Sequence, residues 1–340
     1  MKLVKNILES IKVCKMKINN DKLVKNYLSE TLICKMYENC FNCSSENIKI
    51  QKLHGGLKNA VYLIENEQEK VVLKVAPNNN SKMLSIDKNN MWWEAKMLQT
   101  MSHLDIPAPK LILFDDSCKI CDASYMFMSY IPGQVYSQTK KDISLDSQNS
   151  IEYQIGKISS KISSISSDHY FLPSVPDERF KNNYEFTDYL FTLLIKDIQN
   201  NNLDIDNEII TDINNVLSKN KDSLNSVSKI VLCNADIWDG NILVESDKVS
   251  GIVDFADLYF CDELMTFYFH TIDGKRNDNF LKAFGKENLT KDEEIRIEIY
   301  RLYVILKMMV DCELKNYGKF DWMYDIYDDI VKKLKKEKQR

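Results

Sequence analysis

The stretch Val231-Leu-Cys-Asn-Ala-Asp236-Ile-Trp-Asp-Gly-Asn241-Ile-Leu-Val244 decides the reading of this chain, together with Gly251-Ile-Val-Asp254-Phe255-Ala256 just beyond it. An apolar run leads into a carboxylate, Asp236, and an amide, Asn241, follows five positions on. A second apolar run then ends in another carboxylate, Asp254. This layout suits a phosphoryl-transfer site. One carboxylate accepts the proton of an acceptor hydroxyl, while an amide oxygen and a second carboxylate hold magnesium against nucleotide phosphates. The short runs Ile242–Val244 and Gly251–Val253 read as a tight hairpin that fixes the two metal ligands relative to each other. The plainer alternative is a hairpin with surface acids, and the matched spacing of all three positions weighs against it.

A site of this kind needs a nucleotide clamp, and the N-terminal half offers one. In Leu53-His-Gly55-Gly56-Leu-Lys-Asn59-Ala-Val61-Tyr-Leu-Ile64 a glycine pair sits between two strand-like runs. Glycine lets backbone approach a phosphate closely, although a glycine pair also makes an ordinary turn. Val71-Val-Leu-Lys74-Val-Ala76 places a lysine in an apolar run, where its amine needs an anion or an exposed edge. From Asp87 to Ser102 the spacing of Met91, Ala95, Leu98 and Met101 predicts a helix, and Glu94 lies within it. The alternative for Glu94 is a solvated helix charge. No Gly-x-x-x-x-Gly-Lys-Ser/Thr occurs, so a P-loop nucleotide site is excluded.

With these residues in order, the chain resembles the protein-kinase superfamily. Asp236-x-x-x-x-Asn241 is similar to its catalytic loop and Asp254-Phe255-Ala256 to its metal-binding Asp-Phe-Gly. The form resembles the aminoglycoside phosphotransferase and choline kinase-like branch, whose loop reads His-Gly-Asp, then Gly-Asn-Ile/Val-Leu, then Ile-Asp-Phe/Trp. Three positions depart from it: Asn234 replaces the His, Ala256 replaces a common Gly, and Thr266 stands where relatives often carry an acid. Ile106-Pro-Ala-Pro109 closes the predicted helix as Ile-Pro-x-Pro does in that family.

The resemblance implies a bilobal α+β fold, with a small β-rich lobe and a larger, mainly helical one. It implies Asp236 as the base and Asn241 and Asp254 as ligands of Mg2+. Gly55, Gly56 and Asn59 would cover the phosphates of ATP or GTP, and Lys74, paired with Glu94, would orient them. Tyr125-Met-Phe-Met-Ser-Tyr-Ile-Pro-Gly133 is similar to the last small-lobe strand and hinge. There the base would meet backbone of Ser129 and Ile131, behind Met128.

The acceptor is the open question, because the family covers aminoglycoside and hygromycin-type antibiotics, choline, homoserine, methylthioribose and macrolides. A polycationic acceptor wants carboxylates around the cleft. Asp257, Asp262 and Glu263 are the candidates, with further acids in the C-terminal segment. The expectation is an aminoglycoside-like or other amino-sugar or amino-alcohol acceptor, with antibiotic resistance as its consequence. The alternatives are a metabolite kinase, or a non-catalytic nucleotide-binding module suggested by Asn234.

Bulk properties set limits. The chain has 340 residues, 44% apolar and 28% charged, as expected of a globular protein with two lobes. Its net charge of −5 and pI of about 5.6 argue against nucleic acid as a partner. No apolar stretch approaches the roughly 20 residues that span a bilayer. The short apolar core at Met1 to Ser10 does not make a signal peptide, so a cytoplasmic protein, monomeric or weakly dimeric, is expected. The nine cysteines read as reduced thiols, and the pairs Cys40/Cys43 and Cys118/Cys121 lack zinc-ribbon spacing.

The organisation expected is a helical extension over 1–45, a small lobe over 46–130, a hinge over 131–135 and a large lobe over 136–340. Within the last, a Ser-rich polar segment runs near Ser159 to Asp168 and a helix covers Tyr184 to Asn200. Thr290-Lys-Asp-Glu293 reads as a capping box opening a long helix to about Leu314.

Overall fold

In the computed structural model, which describes residues 24–336 except 54, 55, 57, 79 and 80, period-two strands build the N-terminal lobe. β1 (Lys49–Leu53), β2 (Ala60–Glu65), β3 (Lys70–Val75), β4 (Leu111–Asp115) and β5 (Tyr125–Ser129) form one antiparallel sheet, ordered β1-β2-β3-β5-β4. Alternate residues of a strand face opposite ways. Val71, Leu73 and Val75 therefore share one face with Tyr62, Ile64, Tyr125 and Phe127, covered by Ile33, Met36 and Tyr37 of α1 (Glu30–Phe41). Each such burial is worth about 1.5–3 kcal/mol, so α1 is part of the lobe's core. Of the expected extension over 1–45, residues 1–23 lie outside the described residues.

Lys74 is one step out of phase and so faces the other way, toward α2 (Asn90–Met101). The predicted apolar face of that helix, Met91, Ala95, Leu98 and Met101, is buried. The helix begins at Asn90 rather than Asp87, because Ser85–Asp87 forms a separate 3₁₀ turn. That turn is tied to the large lobe. The Ser85 N–H donates to Asp197 Oδ2 at 2.8 Å and its hydroxyl to Asp197 Oδ1 at 2.6 Å. Trp93 Nε1 also donates to the Leu258 carbonyl at 2.6 Å. Together these bonds give α2 a fixed position between the lobes.

The large lobe starts with β6 (Gln134–Val135) and α3 (Leu145–Ile162). The Ser-rich segment that follows is not a polar loop throughout. Ser159 and Ser163 are buried, and Ser163 Oγ donates to the Leu232 carbonyl at 3.3 Å, so small side chains let the helix end approach the strand. Next come β7 (Ser166–Ser167), α4 (Asn183–Asn200), α5 (Asn207–Lys219) and β8 (Ile230–Asn234). The sequence hairpin is β9 (Ile242–Glu245) and β10 (Lys248–Ile252), which pair antiparallel beside β6. Ser246 and Asp247 both have positive φ, 49° and 62°, the signature of a two-residue turn matched to strand twist. β11 (Leu258–Cys261) pairs with β8, and α6 (Asp278–Phe284), α7 (Lys291–Leu314) and α8 (Asp321–Lys336) complete the lobe.

The capping box of α7 forms: Thr290 Oγ1 accepts from the Glu293 N–H, and Glu293 Oε2 accepts from the Thr290 N–H. Its predicted face of Ile295, Ile299, Leu302, Ile305, Leu306 and Met309 is buried, as is Trp322 on α8. No helix among the described residues is long and apolar enough to cross a membrane. The molecule is thus an antiparallel sheet lobe joined to a helical one, the bilobal α+β architecture expected.

One close helix crossing depends on a missing side chain. A Cβ on Gly156 of α3 would lie 2.5 Å from the Phe280 carbonyl oxygen and 2.7 Å from Ala283 Cβ, both on α6. Alanine would gain about 1 kcal/mol of helix propensity, but overpacking against backbone costs about 1–3 kcal/mol. Gly156→Ala is therefore expected to lower the thermal midpoint, and an unchanged or raised midpoint in a melting experiment would contradict this crossing.

Candidate active site

β3 and α2 bring the first pair together. Lys74 Nζ donates to both carboxylate oxygens of Glu94, at 2.8 and 2.7 Å, and to Asp254 Oδ1 at 3.0 Å. Lys74 and Glu94 are buried, whereas the Asp254 side chain is 35% exposed. Burial disfavours the ammonium of Lys74, but Asp254 and Glu94 more than offset it and hold its pKa above the ordinary lysine value. Burial pushes the Glu94 carboxyl above the usual carboxylate range, while Lys74 pulls it down. The Phe255 N–H also donates to Glu94, so the strand lysine, the helix and the Asp-Phe segment form one polar unit. Asp254 takes φ of 65°, a left-handed conformation costly for a residue with a Cβ, and this turns its carboxylate toward Lys74.

The loop of Asp236 is locked by its own amide. Asn241 Nδ2 donates to the Asp236 carbonyl at 2.8 Å and to Asp236 Oδ2 at 2.9 Å. Both amide hydrogens thus face Asp236, which leaves Asn241 Oδ1 as the group able to meet a cation. The Val253 N–H donates to the Asn241 carbonyl at 2.9 Å, and the Ala235 N–H donates to the Asp257 carbonyl at 2.9 Å. These bonds fix the segment of Asp236 against that of Asp254. Asn234, in the position of the family's His, is buried, and its Oδ1 accepts the Asp236 N–H at 3.1 Å. It braces the loop by a shorter route.

Asp236 is half-buried, and its carboxyl is pushed up to about 7. Burial is the largest cause, then the neighbouring charges of Asp257 and Asp254, with Lys307 and Lys58 opposing. A carboxyl in that range is near the optimum for taking a proton at neutral pH.

After the glycine pair, Gly56 has φ of 63°, which a side chain would strain, and Asn59 directly precedes β2. Gly55 lies outside the described residues. At the hinge Met128 is buried and Ser129 half-buried. The Ser129 N–H donates to the Lys110 carbonyl, while its hydroxyl, not its carbonyl, accepts the Lys110 N–H at 2.9 Å. The hinge carbonyl is thereby left out of that exchange. Ile131 packs against Gly251 of β10, where a Cβ would lie 2.7 Å from Ile131 Cγ2.

The three acceptor candidates all have cationic partners. Lys307 Nζ lies 3.0 Å from Asp257 Oδ2, and the Tyr259 hydroxyl donates to Asp257 Oδ1 at 2.7 Å. Burial raises the Asp257 carboxyl, but Lys307 and Lys58 outweigh it and hold the group well below the usual range. Glu263 pairs with Lys286 at 2.8 Å. Asp262 is not in the cleft: it is buried, accepts from Arg296 Nε at 2.7 Å and the Tyr300 hydroxyl at 2.9 Å, and caps the Glu263–Met265 turn. Its carboxylate is thus already paired in the interior.

The structure adds residues that sequence reasoning missed. Lys58 Nζ, just beyond the glycine pair, lies 2.7 Å from Asp87 Oδ1, and Lys307 Nζ lies 3.9 Å from the same oxygen. Lys58 stood in the quoted loop and Asp87 opened the predicted helix, but neither pairing has a sequence signature. Lys307 follows the buried Leu306 on α7, and a lysine among core positions was the available signal.

Asp254 and Asn241 offer one carboxylate and one amide oxygen, a hard-donor pair. Among the described residues no group of three His, Cys, Asp or Glu side chains converges on a metal. Two protein ligands suit magnesium, which takes its remaining ligands from phosphates and water. The described cysteines form no disulfide with one another; Cys118 and Cys121 lie in the β4–β5 connection, one exposed and one buried.

The model of the phosphotransferase enzyme family, APH, matches residues 49–295. No curated protein matches the sequence. Among solved structures, a thermostable mutant of aminoglycoside phosphotransferase APH(4)-Ia, in complex with AMP-PNP and hygromycin B, aligns with a TM-score of 0.64 and 13% identity, covering 88% of this chain and 98% of that one. A ternary complex of APH(2")-IIa with streptomycin and ATP aligns with a TM-score of 0.61 and 15% identity, over 90% and 97%. A candidate fructosamine-3-kinase from Haemophilus somnus 129PT gives 0.64 and 14%, over 89% and 96%. At these identities the structures speak for the fold, and the family model speaks for membership. The chain belongs to the phosphotransferase enzyme family and is a small-molecule kinase acting on an alcohol group.

Proposed function

We propose that this protein transfers the γ-phosphoryl group of a magnesium-bound nucleoside triphosphate, ATP or GTP, to a hydroxyl of a small molecule, with Asp236 as the base. The observation that carries the reading is the joined set Lys74–Glu94–Asp254 and Asp236–Asn241, which the two lobes hold around one cleft. Asp236 takes the acceptor's proton as the new oxygen–phosphorus bond forms. The bond from the γ-phosphorus to the bridging oxygen breaks, and a nucleoside diphosphate leaves. Lys74, fixed by Glu94, orients the phosphates, and backbone of Ser129 and Ile131 receives the base behind Met128. Magnesium would be held by Asn241 Oδ1 and Asp254 and would neutralise charge on the phosphate oxygens.

The acceptor expected from sequence is aminoglycoside-like or another amino sugar or amino alcohol. Asp257 and Glu263 remain candidates, yet each already holds a lysine. That observation favours the second reading, a metabolite kinase whose acceptor carries few ammonium groups. The non-catalytic module is disfavoured, because the base and both metal ligands are present and Asn234 still braces the loop.

Three outcomes test the assignment. Asp236→Asn should lower turnover on an accepted substrate by about 10²–10⁴-fold while magnesium-nucleotide affinity is kept; full turnover in a coupled assay would refute the base. Asp254→Ala should weaken magnesium-nucleotide binding in calorimetry as well as turnover.

The third outcome concerns pH. The Asp236 carboxyl sits at about 7 in the fold, against about 3.9 in an unfolded chain. Its folded pKa is raised, so its stabilising contribution is complete in acid and is lost as pH rises through about 7. Asp236→Asn should therefore raise the thermal midpoint at mildly alkaline pH and raise it less in acid. Equal shifts at both would contradict the electrostatics assigned to this carboxylate.

A further inference from the structure

The loop that carries Asp236 and Asn241 is bonded both to itself and to the rest of the lobe, and only the second kind of bond fixes its orientation. The Asn241 bonds to Asp236 join the two ends of the loop and move with it. The Ala235 N–H to the Asp257 carbonyl and the Val253 N–H to the Asn241 carbonyl attach those ends to neighbouring segments. Two attached ends still let the span between them swing about the line that joins them. Holding the tip takes a third attachment, off that line.

Asp239 supplies it. Its Oδ2 accepts from Lys140 Nζ at 2.9 Å, and its Oδ1 accepts from the Tyr268 hydroxyl. Each partner is itself held. Lys140 ends the short helical turn Tyr136–Thr139, the first after the hinge and β6. It also pairs with Glu152 Oε1 of α3 at 2.9 Å and lies over the ring of buried Tyr136, 4.9 Å from its centroid. Tyr268 is buried and stacks on Phe280 of α6, with ring centroids 5.2 Å apart. Burial disfavours the Lys140 ammonium, but Asp239 and Glu152 more than offset it, so the group stays charged. Burial, and then Asp239, hold the Tyr268 hydroxyl far above its ordinary range, so it stays a donor. Within the loop Ile237 is buried, and the Trp238 ring fills the space where a side chain on Gly240 would stand. The tip is thus packed as one piece around Asp239.

The side chains of Lys140 and Asp239 are 31% and 26% exposed, and ion pairs open to water stabilise a fold little. Placement is a different matter, since a displacement of about 1 Å at a reacting group can cost about 10²-fold in rate. We infer that Asp239 and Lys140 are positioning residues for phosphoryl transfer, a clamp that holds the Asp236–Asn241 loop at its working angle. They act through Asp236 and Asn241 and not on the substrate. The inference rests on the kinase reading above and adds to it a pair outside the reacting groups.

Water can serve as the test acceptor: its oxygen attacks the γ-phosphorus of magnesium-ATP, ADP leaves, and inorganic phosphate and a proton are released. Lys140→Met, which keeps the apolar stem over Tyr136, and Asp239→Asn should each lower phosphate release at saturating magnesium-ATP by about tenfold or more. The double variant should lose no more than the worse single one, because the two residues act as a unit. Lys140→Arg should recover most of the loss. Hydrogen exchange read by mass spectrometry, without nucleotide, gives an independent measure. The peptide containing residues 236–241 should exchange faster in both single variants, while the rest of the chain and the thermal midpoint stay close to wild type. Unchanged exchange in that peptide overturns the inference. So does phosphate release that neither substitution lowers when the wild-type protein turns over. Faster exchange throughout the chain with a lowered midpoint also overturns it, because the pair would then be an ordinary stabilising contact. A wild-type protein that fails to bind magnesium-ATP in calorimetry would sink the kinase reading instead and leave the exchange result to decide the clamp.

Discussion

The site depends on one buried ammonium. Lys74 sits in the middle of an apolar strand, and removing it from water is tolerable only because Glu94 and Asp254 lie within 3.0 Å. Those two carboxylates come from different places, a helix of the small lobe and the segment after the large-lobe hairpin. The lysine can be satisfied fully only when the lobes are in register, so the pairing couples folding of the cleft to its geometry. Trp93 to Leu258 and Ser85 to Asp197 secure the same register at the N-terminal end of α2 and the turn before it.

The second constraint is the crowding of carboxylates near Asp236. Burial, and then the charges of Asp257 and Asp254, raise its affinity for a proton, and Lys307 and Lys58 limit the effect. The carboxylate proposed as the base is thereby one that the fold would hold more cheaply if neutral. Stability and function pull in opposite directions here, as is common where charge is concentrated for catalysis.

The fold was legible in the sequence wherever local pattern and spacing determined it. Period two in β3 placed Lys74 opposite the core face, helical spacing placed Glu94, and Thr290 and Glu293 announced the start of α7. The loop from Asp236 to Asn241 was readable because its amide and carboxylate are only five residues apart. What was not legible depends on distant pairing. Asp262 read as a cleft carboxylate, but Arg296, far along the chain, takes it into the interior. Asp87 and Lys307 carry no mark of each other in sequence, and their ion pairs arise only where the turn before α2 meets α7 and Lys58. Asn234 looked like a loss and is a working brace, since an amide oxygen can accept the Asp236 N–H.

As proposed, Asn241 and Asp254 hold a divalent cation only together with nucleotide phosphates, because the protein supplies too few ligands to keep it alone. Manganese in place of magnesium makes this visible, since free manganese has a sharp paramagnetic resonance signal that disappears on binding. The predicted result is little capture by the protein alone and clear additional capture, beyond that of ATP itself, when protein and ATP are present together. No additional capture in the presence of ATP, or equal capture without it, would contradict the account.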